Sequence, residues 1–169
     1  FVTFQCLLSS GDEVIVPEPM WTEVVENIRL AGGVPVPVQL NPNEDYRYSP
    51  EEIAKKITPR TKAIFINTPH NPSGAVVSKK DLQALATLAQ EKNLWIISDE
   101  AYEDVIFAPN EHCSIGSLVD PNFKNIISIF SFSKSHAMSG LRVGYVVCRE
   151  RLFKDRFPKA LRCTINGVN

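Results

Sequence analysis

The chain contains, at residues 131–145, the stretch SFSKSHAMSGLRVGY, which decides how the rest of the sequence is interpreted. It follows an apolar run that is typical of a buried strand, so Lys134 is expected just past a strand end, where α/β proteins bind ligands. Arginine binds phosphate as a bidentate fork, and lysine can lose its proton and act as a nucleophile. Hydroxyls at Ser131 and Ser133 together with the guanidinium of Arg142 therefore favour a phosphorylated ligand. The alternative is a solvated polar connection between two strands.

The pattern outside this stretch predicts the fold class. Apolar runs at 63–66, 94–98 and 126–130 lack the polar alternation of half-exposed strands, which is typical of strands covered on both faces. Helices between them carry N-terminal capping signals at Ser49 and Ser78, each followed three residues later by an acidic residue. The sequence therefore predicts an α/β fold, a three-layer sandwich in which a mainly parallel sheet has helices on both faces. Strands are expected to begin near Val14, Val34, Ala63, Leu94, Ile126 and Val143.

Composition excludes several classes of function. The chain has 169 residues, of which 44% are hydrophobic and 22% charged, as expected for one globular domain. A net charge of -1 gives no reason to expect a nucleic acid or an anionic membrane as partner. The four cysteines and three histidines are widely scattered, which argues against a metal site and against a disulfide framework. A reduced, cytoplasmic setting fits this cysteine usage best.

Polar residues follow three of the predicted strands, and they are expected to meet. In a parallel sheet the strand ends lie along one edge, so Asn71, Asp99, Tyr102 and Lys134 should converge. A carboxylate drawn into partly buried surroundings needs a cationic partner, and a protonated ring nitrogen would serve for Asp99. Each feature also has a structural alternative. The segment around Asn71 has a common turn composition, Asp99 is suited to a helix cap, and Trp21 is suited to the core.

The combination of motifs resembles the class I/II aminotransferase family of fold-type I pyridoxal phosphate (PLP) enzymes. The resemblance covers almost the whole chain in the same order, and it is carried by Asn71-Pro72-x-Gly74, Asp99-x-x-Tyr102 and Ser131-x-Ser133-Lys134 followed by Arg142. It implies that the strand at 143–148 is antiparallel to the others. It also implies that this strand has an open edge, because the family pairs it with a strand that precedes Phe1.

The resemblance implies roles for the residues that are expected to converge. Lys134 resembles the lysine that holds the cofactor aldehyde as an internal Schiff base and then moves the proton between the substrate Cα and the cofactor. Asp99 resembles the carboxylate that keeps the pyridine nitrogen protonated, which makes the ring an electron sink. Tyr102 and Asn71 resemble the pair that hydrogen-bonds the 3′-oxygen of the ring and lowers the Schiff-base pKa.

The phosphate and the ring face have their own expected partners. Ser131, Ser133 and Arg142 resemble phosphate ligands of the family. Trp21 lies where the family places an aromatic residue that stacks on the ring, although many members have tyrosine there.

The resemblance implies an incomplete domain. Family members are more than twice as long, so residues 1–169 are expected to be a PLP-binding large domain truncated at both ends. The glycine-rich phosphate-binding turn and the small domain that binds the substrate carboxylate are not in this sequence. Family members are homodimers with active sites at the subunit interface, so the chain by itself is expected to be inactive.

The function implied is a PLP-dependent aminotransferase that exchanges an amino group between an amino acid and a 2-oxo acid. A PLP-dependent carbon–sulfur β-lyase shares these motifs, and a non-catalytic PLP-binding fragment or regulatory module is a further alternative. A nucleotide-binding Rossmann domain is disfavoured, because the strand at Val14 is followed by Glu18-Pro19-Met20-Trp21 and not by a glycine-rich loop. The sequence does not indicate which amino acid and which 2-oxo acid are the substrates.

Overall fold

The computed structural model describes residues 1–164, and its centre is one six-stranded sheet. The strands are β1 (Glu13–Glu18), β2 (Val34–Gln39), β3 (Thr61–Asn67), β4 (Trp95–Asp99), β5 (Ile126–Ser131) and β6 (Gly144–Cys148). Their order in the sheet is β2-β1-β3-β4-β5-β6. Every neighbouring pair is parallel except β5 and β6, which are antiparallel. The mainly parallel sheet with one antiparallel strand is therefore confirmed.

Helices connect the strands, and two of them begin at the capping signals of Ser49 and Ser78. The helices are α1 (Val2–Leu7), α2 (Thr22–Leu30), α3 (Pro50–Lys55), α4 (Lys79–Glu91), α5 (Phe132–Ser135) and α6 (Arg151–Thr164). The hydroxyl of Ser49 accepts from the Glu52 amide at 3.2 Å, and that of Ser78 accepts from the Asp81 amide at 3.1 Å. Each bond satisfies an amide that the first turn of a helix leaves without a partner. None of the helices in residues 1–164 is long and apolar enough to cross a membrane.

The strands alternate their side chains between two apolar cores, which gives the three layers. In β3, Ile64 and Ile66 face one core, which α3 and α4 cover. Ala63 and Phe65 face the other, which α1 and α2 cover. Further along that second face, α6 packs on α1 and on β5 through Phe153. Because both faces are covered, the central strands read as uninterrupted apolar runs.

Two features differ from the sequence-based expectation. Prolines at positions 17 and 19 predict the end of the strand that begins near Val14, yet β1 continues through Pro17 to Glu18. The carbonyl of Glu18 accepts from the Leu40 amide, on the β2 side of the strand. Because successive residues of a strand alternate sides, the ring nitrogen of Pro17 faces β3. The pairing of β1 with β3 already ends at Ile15, so no amide is needed there. A core position was the structural alternative for Trp21, yet this residue is 49% exposed and stands at the N-cap position of α2 without a side-chain capping bond.

Candidate active site

A cavity of about 410 Å³ lies at the carboxyl ends of β3, β4 and β5. It is lined by all eight residues that the sequence predicts for the site, namely Trp21, Asn71, Asp99, Tyr102, Ser131, Ser133, Lys134 and Arg142. They come from parts of the chain up to 121 positions apart, as the distance from Trp21 to Arg142 shows. The parallel sheet brings them together, because its strand ends share one edge.

Hydrogen bonds join the ends of β3 and β4 to the loop that carries Asn71. The side-chain oxygen of Asn67 accepts from the amide of Asn71 at 2.8 Å, and its side-chain nitrogen donates to the carbonyl of Asp99 at 3.2 Å. The side-chain nitrogen of Asn71 lies 3.4 Å from the hydroxyl of Tyr102 and donates to it. These contacts place a phenol and an amide side by side on one wall of the cavity.

The carboxyl group of Asp99 lines this cavity and has no cationic partner among residues 1–164. The only hydrogen bond that this carboxyl group makes within those residues is accepted from the amide of Ala101 at 3.1 Å. Burial raises the pKa of Asp99, the bond from Ala101 lowers it, and the neighbouring charge of Glu100 raises it further. A carboxylate in this state is stabilised by a cation that enters the cavity, such as a protonated ring nitrogen.

Lys134 reaches the cavity from α5, a single helical turn that follows β5 directly. The hydroxyl of Ser131 accepts from the amide of Ser133 at 3.1 Å and so starts that turn. The ammonium group of Lys134 lies 5.4 Å from the centre of the Tyr102 ring. Gly144 allows β6 to approach the end of β5 just before this turn, since a Cβ there would lie only 2.5 Å from the carbonyl oxygen of Phe130.

Arg142 brings the second positive charge to the cavity through an unusual backbone conformation. Its backbone φ of 51° lies in the left-handed region, which residues other than glycine rarely adopt. Its guanidinium donates to the carbonyl of Ser139 at 2.8 Å, which orients the group. Arg142 and Lys134 therefore line the same cavity as Ser131 and Ser133, and a guanidinium beside hydroxyls is a set of groups suited to a phosphate.

The sequence-based prediction missed the remaining lining residues. Met20, Val24, Phe65 and Ile129 form the apolar part of the cavity wall. Their apolar character reads equally well as core packing, so no local signal separates them from the core. Asn67, the last residue of β3, was not among the predicted site residues, and its two side-chain hydrogen bonds depend on neighbours four and 32 positions away.

Comparison with known proteins identifies the family. The profile described as "Aminotransferase class I and II" matches residues 1–163. The chain belongs to this family.

Several relatives and solved structures support the match. A probable aspartate/prephenate aminotransferase of Aquifex aeolicus is 43% identical over 91% of this chain and 39% of its own length. An arginine–pyruvate transaminase of Pseudomonas aeruginosa is 45% identical over 87% of this chain and 37% of its own. A Thermus thermophilus aspartate aminotransferase variant, solved in complex with tryptophan, superposes with a TM-score of 0.93 at 38% identity. It covers 100% of this chain and 43% of that one. The chain thus spans about two fifths of the length of the relatives it matches.

Proposed function

We propose that this chain is the core of the PLP-binding large domain of an aminotransferase that exchanges an amino group between an amino acid and a 2-oxo acid. Residues 165–169 of the domain that we predicted lie outside the described residues. The observation that carries the proposal is the cavity itself, where an amine, an unpaired carboxyl and a set of phosphate-binding groups meet. Family membership supports the same conclusion.

The residues present fit PLP. When bound, PLP supplies an aldehyde for covalent attachment and a ring that accepts electrons from the substrate Cα. Lys134 is the amine in the cavity that we propose bonds to the aldehyde, and its nitrogen then carries the proton to and from the substrate Cα. Asp99 has the unpaired carboxylate that holds a proton on the ring nitrogen. Burial raises the pKa of Asp99, as expected for a carboxylate that only one backbone amide compensates within residues 1–164.

The other predicted residues fix the cofactor in place. We propose that Tyr102 and Asn71 donate to the 3′-oxygen of the ring from the wall where their side chains meet. Ser131, Ser133 and Arg142 would hold the phosphate at the start of α5. Trp21 lies exposed at the cavity edge, where its indole would cover one face of the ring.

Substrate and assembly are proposed at a coarser level. The names of the relatives combine aspartate, prephenate, arginine and pyruvate, so they support transfer of an amino group without selecting one donor. They give no specific support to a β-lyase or to a non-catalytic module. We propose a homodimer in a cytoplasmic setting, and the four free cysteines are compatible with a reducing compartment.

Covalent labelling tests the proposal. Borohydride reduction of the PLP-loaded protein, followed by peptide mass mapping, should place the cofactor on Lys134. Lys124 and Lys154 are internal controls, because neither lines the cavity. The longer protein that contains this chain is the sample of choice, since the predicted glycine-rich turn lies outside this sequence. Label on Lys124 or Lys154 in place of Lys134 would contradict the proposal.

A further inference from the structure

Glu100 is a fully buried carboxylate for which the proposed mechanism has no use. Its exposed fraction is 0%, and it lies one residue after Asp99 on the opposite face of the sheet. Two side chains satisfy it: the Nε2 of His112 at 2.9 Å and the hydroxyl of Ser114, which donates at 3.0 Å. A buried carboxylate is tolerated only with such partners, so these bonds hold three parts of the chain in one arrangement.

The partners of Glu100 close a loop. His112 and Ser114 lie 12 and 14 positions further along the chain than Glu100. Residues 101–113 form the loop between Glu100 and Ser114, and His112 lies near the end of this loop. Within residues 102–111 the backbone hydrogen bonds of the structure are all local, as in the bond from the Val105 amide to the Tyr102 carbonyl. The tip of the loop is exposed, with Phe107 at 80%. No long-range backbone hydrogen bond within 102–111 therefore ties the loop to the rest of residues 1–164, and the side-chain bonds of Glu100 join its two ends.

The same loop carries Tyr102 into the candidate active site. Its hydroxyl contacts Asn71 at 3.4 Å, near the upper limit of a hydrogen bond, so a small displacement would break the contact. Its ring also lies 5.4 Å from the ammonium group of Lys134. Whatever fixes the loop at Glu100 thus fixes the phenol relative to the amide and the amine.

We propose that Glu100 is a positioning residue. Through His112 and Ser114 it closes the loop at 101–113, and it thereby holds Tyr102 at the distance from Asn71 that the site needs. The part of this inference that concerns cofactor chemistry rests on the proposed function. The closure of the loop does not, because it follows from contacts that need no cofactor.

A cofactor-free experiment tests the closure. Glu100→Met keeps the length of the side chain but removes both acceptor oxygens, so neither bond can form. Without PLP, limited proteolysis should cut this variant within 101–113 several-fold faster than the parent protein. Glu103→Met is the matched control, since it makes the same change in the same loop at a side chain that has no hydrogen bond within residues 1–164. Equal cleavage of the two variants would overturn the proposal. Ser114→Ala, which removes only one bond, should give an intermediate rate.

A spectroscopic cycle tests the positioning. In PLP-loaded protein, the pH midpoint of the cofactor absorbance change reports the hydrogen bonds to the ring 3′-oxygen. Glu100→Met should raise this midpoint by at least about half the shift that Tyr102→Phe produces, and the double variant should show little further shift, because coupled changes are not additive. Fully additive shifts, or an unshifted Glu100→Met, would overturn it. If the parent protein forms no covalent absorbance band at all, the proposed function fails, whereas the proteolysis result still decides the closure.

Discussion

Two carboxylates at opposite ends of the sheet have opposite electrostatic surroundings. Glu13, at the amino end of β1, is buried and accepts hydrogen bonds from Thr58, Arg60 and Thr61. The bonds from Thr58 and then Arg60 lower the pKa of Glu13. The side-chain carboxylate of Asp99, at the carboxyl end of β4, accepts one hydrogen bond within residues 1–164, from the backbone amide of Ala101, and burial raises the pKa of this group.

We expect the difference to separate a group that stabilises the fold, Glu13, from one that we propose acts on a cofactor, Asp99. Glu13 has its compensation within the chain, so its charge helps to hold the loop after α3 against β1. Asp99 lacks that compensation among residues 1–164, so its charge is stabilised only when a cation is added. An unpaired charge in a cleft is typical of active sites. Four predictions test this contrast between the two carboxylates and between the two edges of the sheet.

Removing Asp99 should give the largest effect. In PLP-loaded protein, Asp99→Ala should slow deprotonation of the amino acid substrate by at least about 100-fold, because a developing charge loses its support. The free energy of unfolding without cofactor should stay equal or rise, since an uncompensated charge is removed. Single-turnover absorbance and urea unfolding measure the two quantities. Asp104→Ala, on an exposed neighbour, is the control. Near-normal turnover of Asp99→Ala would reduce Asp99 to a structural role.

Removing the charge of Glu13 should have the converse effect. Glu13→Gln should lower the free energy of unfolding by about 1–3 kcal/mol, because donors from three residues lose part of a buried acceptor. PLP affinity should stay within about twofold, since Glu13 lies at the other end of the sheet and additivity holds for distant sites. Urea unfolding and cofactor titration provide both numbers, with the exposed Glu91→Gln as control. A large loss of PLP affinity at unchanged stability would contradict this division of roles.

The pH dependence should show opposite signs for the two carboxylates. Glu13 has a lowered pKa, so its stabilisation is present above its ordinary value of about 4.3 and is lost as the pH falls towards the folded-state pKa. Asp99 has a raised pKa, so its penalty is absent below about 3.9 and appears as the pH rises through the folded-state pKa.

Unfolding without cofactor between pH 3 and pH 7 measures both differences. At pH 7, Glu13→Gln should be less stable than the parent protein, and Asp99→Asn should be more stable. Both differences should shrink towards acid pH. Differences of the same sign at pH 7 would remove the contrast between the two groups.

The two edge strands of the sheet, β2 and β6, also differ in whether their outward-facing backbone groups are compensated. Changing these edges should have the smallest effect of the four predictions. Edge strand β2 carries prolines at positions 35 and 37, which lack amides, whereas β6 pairs only with β5 among residues 1–164 and exposes Val147 at 52%. An open apolar edge recruits other strands. Val147→Lys should therefore weaken self-association of this chain, measured by sedimentation at several concentrations. Val34→Lys, on β2, is the matched control and should change it less. Equal effects at both edges would contradict the inference.

Several parts of the site were predictable because their signals are local. Lys134 follows an apolar run and stands between hydroxyls, and Asp99 ends another such run, so parallel pairing alone brings both to one edge. Asn67 and Glu100 were not predictable in the same way. Asn67 bridges Asn71 and Asp99 only because β3 and β4 are neighbours in register, and the partners of Glu100 lie beyond a loop whose path the sequence does not fix.

The sequence by itself determined the order of strands and helices, the capped helix starts and the family to which the chain belongs. These depend on periodicity and on short motifs, which act over a few residues. Only the tertiary structure decided which side chains are compensated. Glu13 and Asp99 both adjoin apolar strand residues in the sequence, yet one meets Arg60 and the other meets an open cavity. That outcome depends on contacts between distant segments, because the energy of a buried charge is set by what surrounds it in space.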